Sequence, residues 1–249
     1  MTLQPAELAI IFICLAAGGV LKGATGAGAP ILAVPALAMI FDVKFAVVVM
    51  LMPNLLTNVW QGWRFRRHLL PGSFLLRFAG AGILGVLLGT LMLTHFSQKA
   101  LSLIVAGAVV GYIALRLARP DWKIAFPLAS RLSMPAGFLA GMLQGAAGLS
   151  APASITFLNA MRLDRQIFIA TISFLFVAVT SLQVLSLSYL GIFSVHGALI
   201  SLLAMLPILA FMPVGAALAR RLSRENFDRM ILILLGFVAA KLIYDALLT

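Results

Sequence analysis

The chain has 249 residues, 63% hydrophobic and 10% charged, with a mean hydropathy of +1.12 and a formal net charge of +11. Soluble domains carry roughly 25% charged residues, so the composition excludes that class and points to a polytopic, all-α integral membrane protein. The positive charge does not signify nucleic acid: the basic residues lie in short loops, with no aromatic-interleaved basic surface to follow a phosphate backbone.

In chain order, apolar runs between charges predict segments at 6–22, 29–41, 44–62, 72–94, 99–117, 132–147, 151–161, 166–189, 192–219 and 225–247. Two of them, 29–41 and 151–161, are too short for a hydrocarbon core that needs about 20 residues. The first run lacks a basic leader and a small-residue cleavage site, so it reads as a retained helix. It holds Cys14, the only cysteine, which excludes an intrachain disulfide or a paired-thiol redox site. The longest polar stretch, Arg116 to Arg131, reads as a loop containing Pro120 and Pro127.

Four basic clusters orient the segments. They are Arg64, Arg66 and Arg67; Arg116, Arg119, Lys123 and Arg131; Arg162 and Arg165; and Arg220, Arg221, Arg224 and Arg229. Placing all four in the cytoplasm requires an even number of passages between successive clusters, and puts both termini outside.

The two halves repeat each other. Gly18 to Pro30, GGVLKGATGAGAP, aligns without gaps to Ala140 to Pro152, AGMLQGAAGLSAP. Farther along, Ala38-Met39 falls on Ala160-Met161, Asp42 on Asp164 and Gln61 on Gln183. With Asp164 in a cytoplasmic loop and Asp42 one crossing from the Arg64 cluster, the repeats enter the membrane from opposite sides. The expected organisation is therefore a first repeat at 1–117, a cytoplasmic connection at 118–131 and an inverted second repeat at 132–249, with about five segments in each repeat. Inverted repeats of this kind characterise secondary transporters, which bind substrate near the midplane at the repeat interface.

Each repeat opens with a helix, a Gly-rich break and a shorter helix, a pattern that reads as a hairpin with its tip inside the membrane. Non-helical backbone at that depth is tolerated only inside protein or along a wet cavity. Glycine permits the turn, Pro30 and Pro152 suit the first turn of the next helix, and the helix N-termini present free N–H groups. Candidate substrate-binding residues on this reading are Lys22, Gly23, Thr25, Gly26 and Gly28 at the first tip. At the second they are Gln144, Gly145, Gly148, Ser150 and Ser154. Close helix packing is the competing explanation for the glycines.

Lys22 has two readings, binding an anion or snorkelling to an interface, and its repeat counterpart is Gln144. Asn54, Asn58 and Gln61 form one helical stripe with Thr57 beside it, matched by Thr180 and Gln183. Asn54 and Asn58 join the candidate site; the stripe can equally serve contacts between helices. The histidines, His68, His95 and His196, lie at loops or helix ends without metal-ligand spacing, and no catalytic or nucleotide-binding motif is present. The expectation is a non-enzyme with no cofactor and no metal.

GATGAGAP with the following Pro35, the turn from Asp42 to Ala46, and GAAGLSAP with Asp164 to Ala170 resemble the TauE/SafE family of bacterial sulfite and organosulfonate exporters. The resemblance implies an inner-membrane permease for small sulfur-containing anions such as sulfite or sulfoacetate, with the two tips carrying the substrate. The expected mechanism is alternating access, one repeat rocking against the other. An anion channel, or a permease for another small anion such as a carboxylate, is the alternative. The coupling ion, sodium or proton, and the oligomeric state, a homodimer included, are left open by the sequence. A cation substrate would need acidic residues at depth, and none is apparent.

Overall fold

The computed structural model describes residues 4–118, 122–221 and 224–248. Arg119 and Pro120 of the connecting stretch, and the side chain of Arg224, lie outside them. The described residues form helices without strands: α1 (Pro5–Thr25), α2 (Ala29–Ile40), α3 (Val43–Arg64), α4 (Gly72–His95), α5 (Gln98–Ala118), α6 (Phe126–Ala147), α7 (Ala151–Ala160), α8 (Arg165–Tyr189), α9 (Val195–Leu203), α10 (Met205–Arg221) and α11 (Arg224–Leu248), with a 3-10 turn at Arg66–His68. Among the described residues, six spans are long and apolar enough to cross a membrane: α1, α3, α4, α5, α8, and α9 with α10 as one span. At 1.5 Å per residue, α2 and α7 extend only about 18 and 15 Å, short of a hydrocarbon core of about 30 Å.

Local chemistry explains several helix ends. Gln4 and Glu7 form a capping box ahead of Pro5 at the start of α1. Asp42 Oδ1 accepts from Phe45 N at 2.6 Å and caps α3. The sequence expectation for α6 needs correction. Pro127 lies in the first turn of the helix, where a missing N–H costs nothing, so α6 begins at Phe126 inside the stretch read as loop. The run at 192–219 is likewise two helices meeting at Ala204; Pro207, near the start of α10, lacks the N–H that would continue α9.

Pro53 interrupts α3 and leaves the Val49 carbonyl without its intrahelical donor. Ser201 of α9 supplies the bond, its hydroxyl donating to Val49 O at 3.0 Å while accepting from Met52 N at 2.9 Å. Seryl repair of a proline break satisfies the rule that backbone polar groups at membrane depth find partners inside the protein.

The packing follows the sequence repeat. Aligning Gly19 with Gly141 sets α1 to α5 on α6 to α11, with α4 opposite α9 and α10. Under that correspondence the contacts exchange: α1 packs on α10 as α6 packs on α4, α2 on α11 as α7 on α5, and α3 on α9 as α8 on α4. The pairs α3–α8 and α5–α11 lie across the exchange from each other.

Two of these seams are built on glycine. A Cβ added at Gly19 or Gly23 would overlap the backbone of Ile208 or Met212 on α10. Added at Gly141 or Gly145, it would overlap α4 at Gly82 or at Val86 and Thr90. Without side chains the backbones approach closely, the usual means of helix association in lipid. Two buried apolar clusters fill the interior. One centres on Phe74, Phe78 and Phe157, with the Phe74 and Phe157 rings stacked at 6.3 Å; the other centres on Val34, Leu37, Val47 and Leu149.

Candidate functional site

α1 and α2 form an antiparallel hairpin: Ala29 and Ala33 of α2 lie against Gly18, and Leu37 joins Ile11 and Leu15 in one cluster. The chain reverses between them at Gly26 (φ 79°) and Gly28 (φ 99°), in the left-handed region that glycine enters without strain. The second hairpin, α6 and α7, reverses at Gly148 (φ 66°). The tips lie side by side, because Gly28 neighbours Ile155 of α7 and Gly148 neighbours Val34 of α2. Each also rests on a long helix of the other half, Gly26 against Ile169 of α8 and Gly148 against Val47 of α3.

Lys22 stands one turn before the first tip and is only 1% exposed, so it does not snorkel outward. Its ammonium lies 3.5 Å from Asn58 Oδ1, a long contact for a hydrogen bond, and among the described residues it has no carboxylate partner. A buried cation without a counter-charge is costly, by several kcal/mol, and such groups in membrane proteins mark sites. Asn58 Oδ1 also accepts from Ser173 Oγ at 3.3 Å. Asn58 Nδ2 donates to Asn54 O and Oδ1 at 2.7 and 2.9 Å, and Asn54 Nδ2 donates to Thr180 Oγ1 at 3.0 Å. The amide stripe of α3 thus meets the hydroxyls of α8 beside Lys22. Gln61 completes the stripe: its Nε2 donates to Gly26 O at 2.9 Å, while its Oε1, fully buried, has no partner among the described residues.

The second tip is arranged differently. Gln144 Nε2 donates to Gln183 Oε1 at 2.9 Å, and Gln183 Nε2 returns bonds to Gln144 O at 2.8 Å and Gly145 O at 3.3 Å. Gln144 Oε1 accepts from Ser150 N at 3.3 Å, and Ser154 Oγ donates to Ser150 O at 2.8 Å. Every polar atom of this amide pair is used within the protein.

The remaining candidates divide between the two explanations. Gly23 and Gly145 belong to the packing seams with α10 and α4, which account for the glycine without a ligand. Thr25 is exposed, but its hydroxyl is engaged with the tip's own backbone, donating to Leu21 O at 2.8 Å and bonding the Ala27 carbonyl. Lys22, Gly26, Asn54 and Asn58 come together with Gln61; Gln144, Gly148, Ser150 and Ser154 come together with Gln183; Gly28 faces a cavity.

That cavity, about 680 Å³, runs from the first tip to one end of the bundle. Thr25, Ala27 and Gly28 line its inner end, Thr156 and Asn159 of α7 its wall, and Arg116, Arg162, Arg165, Asp164 and Trp122 are among its outer residues. Ile124 N donates to Ala160 O at 2.8 Å and pins the connecting segment beside it. The matching path at the second tip is closed: Val34, Leu37, Ala147 and Leu149 stand where Thr156, Asn159, Thr25 and Ala27 stand on the open side, and all four are fully buried. Sequence reasoning treated the arginines only as topology signals and passed over Thr156 and Asn159. The unequal polarity of aligned positions, Asn159 against Leu37 above all, was the available clue. Among the described residues, no group of three or more His, Cys, Asp or Glu comes together to hold a metal ion.

No curated protein and no solved structure matches the chain. A match to one described family does run through both hairpins and nearly the whole length. With its membrane helices and paired glycine tips, the chain belongs to the sulfite exporter TauE/SafE family, which it matches over residues 10–242.

Proposed function

We propose that the protein is a secondary transporter that moves small sulfur-containing anions, such as sulfite, sulfoacetate or related organosulfonates, across the bacterial inner membrane by alternating access. The observation that carries this reading is Lys22, a cation buried beside a broken hairpin with no acid among the described residues to neutralise it. An anion supplies the missing charge. The cavity supports the reading, since its lining runs from Arg116, Arg162 and Arg165, with Asp164 among them, to Thr25, Ala27 and Gly28 of the same tip. A carrier is favoured over a channel by the apolar layer of Val34, Leu37, Ala147 and Leu149 behind the tips, which leaves the path open at one end only.

In this reading the two parts, 1–117 and 132–249, are inverted repeats, the basic loops face the cytoplasm, and both termini lie outside. The anion binds at the first tip, with Asn58 and Gln61 beside it. The test is flux of labelled sulfite and sulfoacetate in proteoliposomes. Saturable flux that Lys22→Gln reduces at least tenfold is expected. Absence of flux for every sulfur anion overturns the substrate class, and unsaturating conductance overturns the carrier.

A further inference from the structure

We infer that Gln61 is a specificity-determining residue: its unpartnered Oε1, set one helical turn from the Lys22 ammonium, selects anions that also carry an O–H or N–H donor. The inference rests on the proposed anion site and names which anions that site prefers.

The placement comes from two side-chain contacts between the end of α1 and α3. Lys22 stands one turn before Gly26, the residue that ends α1, and Asn58 and Gln61 are one turn apart on α3; Lys22 reaches Asn58, and Gln61 reaches Gly26. The ammonium and the Gln61 amide are therefore separated by about one turn, roughly 5 Å. A sulfonate or carboxylate group facing Lys22 leaves a substituent two or three bonds away opposite Gln61.

The amide is held so that only its acceptor is available. Nε2 is committed to the Gly26 carbonyl at 2.9 Å, which fixes the orientation of the amide and turns Oε1 away from that bond. Gln61 is 5% exposed, and Oε1 is one of three buried side-chain atoms without a partner among the described residues. A buried acceptor left unmade is costly, so a ligand that donates to it gains over one that cannot. The aligned Gln183 does not offer this, because its Oε1 accepts from Gln144. The difference follows from one position: Gln144 Nε2 donates to Gln183 Oε1, whereas the Lys22 ammonium lies against Asn58 Oδ1 and not against Gln61. A second site of the same kind is therefore absent at the other tip.

The experiment compares isosteric probes on the purified full chain by concentration-dependent thermal stabilisation. Isethionate and 1-propanesulfonate differ by a hydroxyl in place of a methyl; 3-hydroxypropionate and butyrate repeat the comparison on a carboxylate. Isethionate is expected to bind at least about tenfold more tightly than 1-propanesulfonate. Gln61→Met brings the ratio to about one, and Gln61→Asn, which shortens the reach, does the same if the methionine variant does not fold. Lys22→Met, which removes the charge without supplying a donor to Gln61, weakens both members of a pair and leaves their ratio in place. Equal affinities within both pairs in the wild type, or a preference that survives in Gln61→Met or Gln61→Asn, overturn the inference. A preference confined to the carboxylates sustains it and overturns the sulfur-anion reading; stabilisation by none of the four overturns both.

Discussion

The two hairpin tips each turn at a left-handed glycine, Gly26 and Gly148, and differ in chemical completeness. At the second, Gln144 and Gln183 exchange hydrogen bonds and tie themselves to the Ser150 and Gly145 backbone, so nothing is left over. At the first, a lysine in place of the glutamine leaves, among the described residues, an ammonium with one long contact and a glutamine oxygen with none. One tip closes its polar groups on itself, and the other leaves two of them unsatisfied among the described residues.

The comparison is tested first where the tips are the same. Gly23→Val and Gly145→Val each drive a side chain into a facing backbone, at Met212 and Val86, and should cost about 3 kcal/mol or more apiece. The readout is the folded fraction after extraction in mild detergent, and a large effect at one position alone breaks the equivalence of the seams. Next in size is Lys22→Gln, which makes the first tip resemble the second. At a sulfite concentration 100 times its dissociation constant the wild type gains about 2.7 kcal/mol of stability. Thermal melts of Lys22→Gln should show no such gain.

Gln183→Leu removes two donors to the Gln144 and Gly145 carbonyls and strands Gln144 Nε2, a loss of about 2 kcal/mol in thermal or denaturant unfolding. Gln61→Leu loses a single bond, to Gly26 O, and relieves an unpartnered oxygen, so its cost in the ligand-free protein should be smaller. The smallest effect concerns the aligned aspartates that precede α3 and α8. Asp42→Ala removes a side-chain cap and should cost about 1 kcal/mol, whereas Asp164, which makes no cap bond, should cost less when replaced. Unfolding of the two single variants under one condition decides it.

The helical class, the short second member of each hairpin and the break positions were legible because glycine, proline and apolar run length act locally. The stripe Asn54, Asn58 and Gln61 was legible as a stripe because the helical period fixes one face. Its partners were not, since Ser173 and Thr180 are 115 and 126 residues from the groups they bond. Gly23 and Gly26 look alike in sequence, yet one meets α10 and the other turns the chain; only the neighbouring helix distinguishes them. The depth of Lys22 depends on what surrounds α1, and the start of α6 on the first-turn placement of Pro127.

The glycine seams carry a mechanical consequence. Because α1 is fastened to α10 and α6 to α4, covalent order and mechanical grouping do not coincide. A displacement of the first hairpin drags along a helix encoded near the far end of the chain, and the second hairpin moves with one encoded in the first half. In the alternating access proposed above, the surfaces that slide would be the crossings of α3 with α8 and α5 with α11. A cut through the connecting segment near residue 122 would sever neither assembly, since each is joined across that boundary by backbone laid directly on backbone.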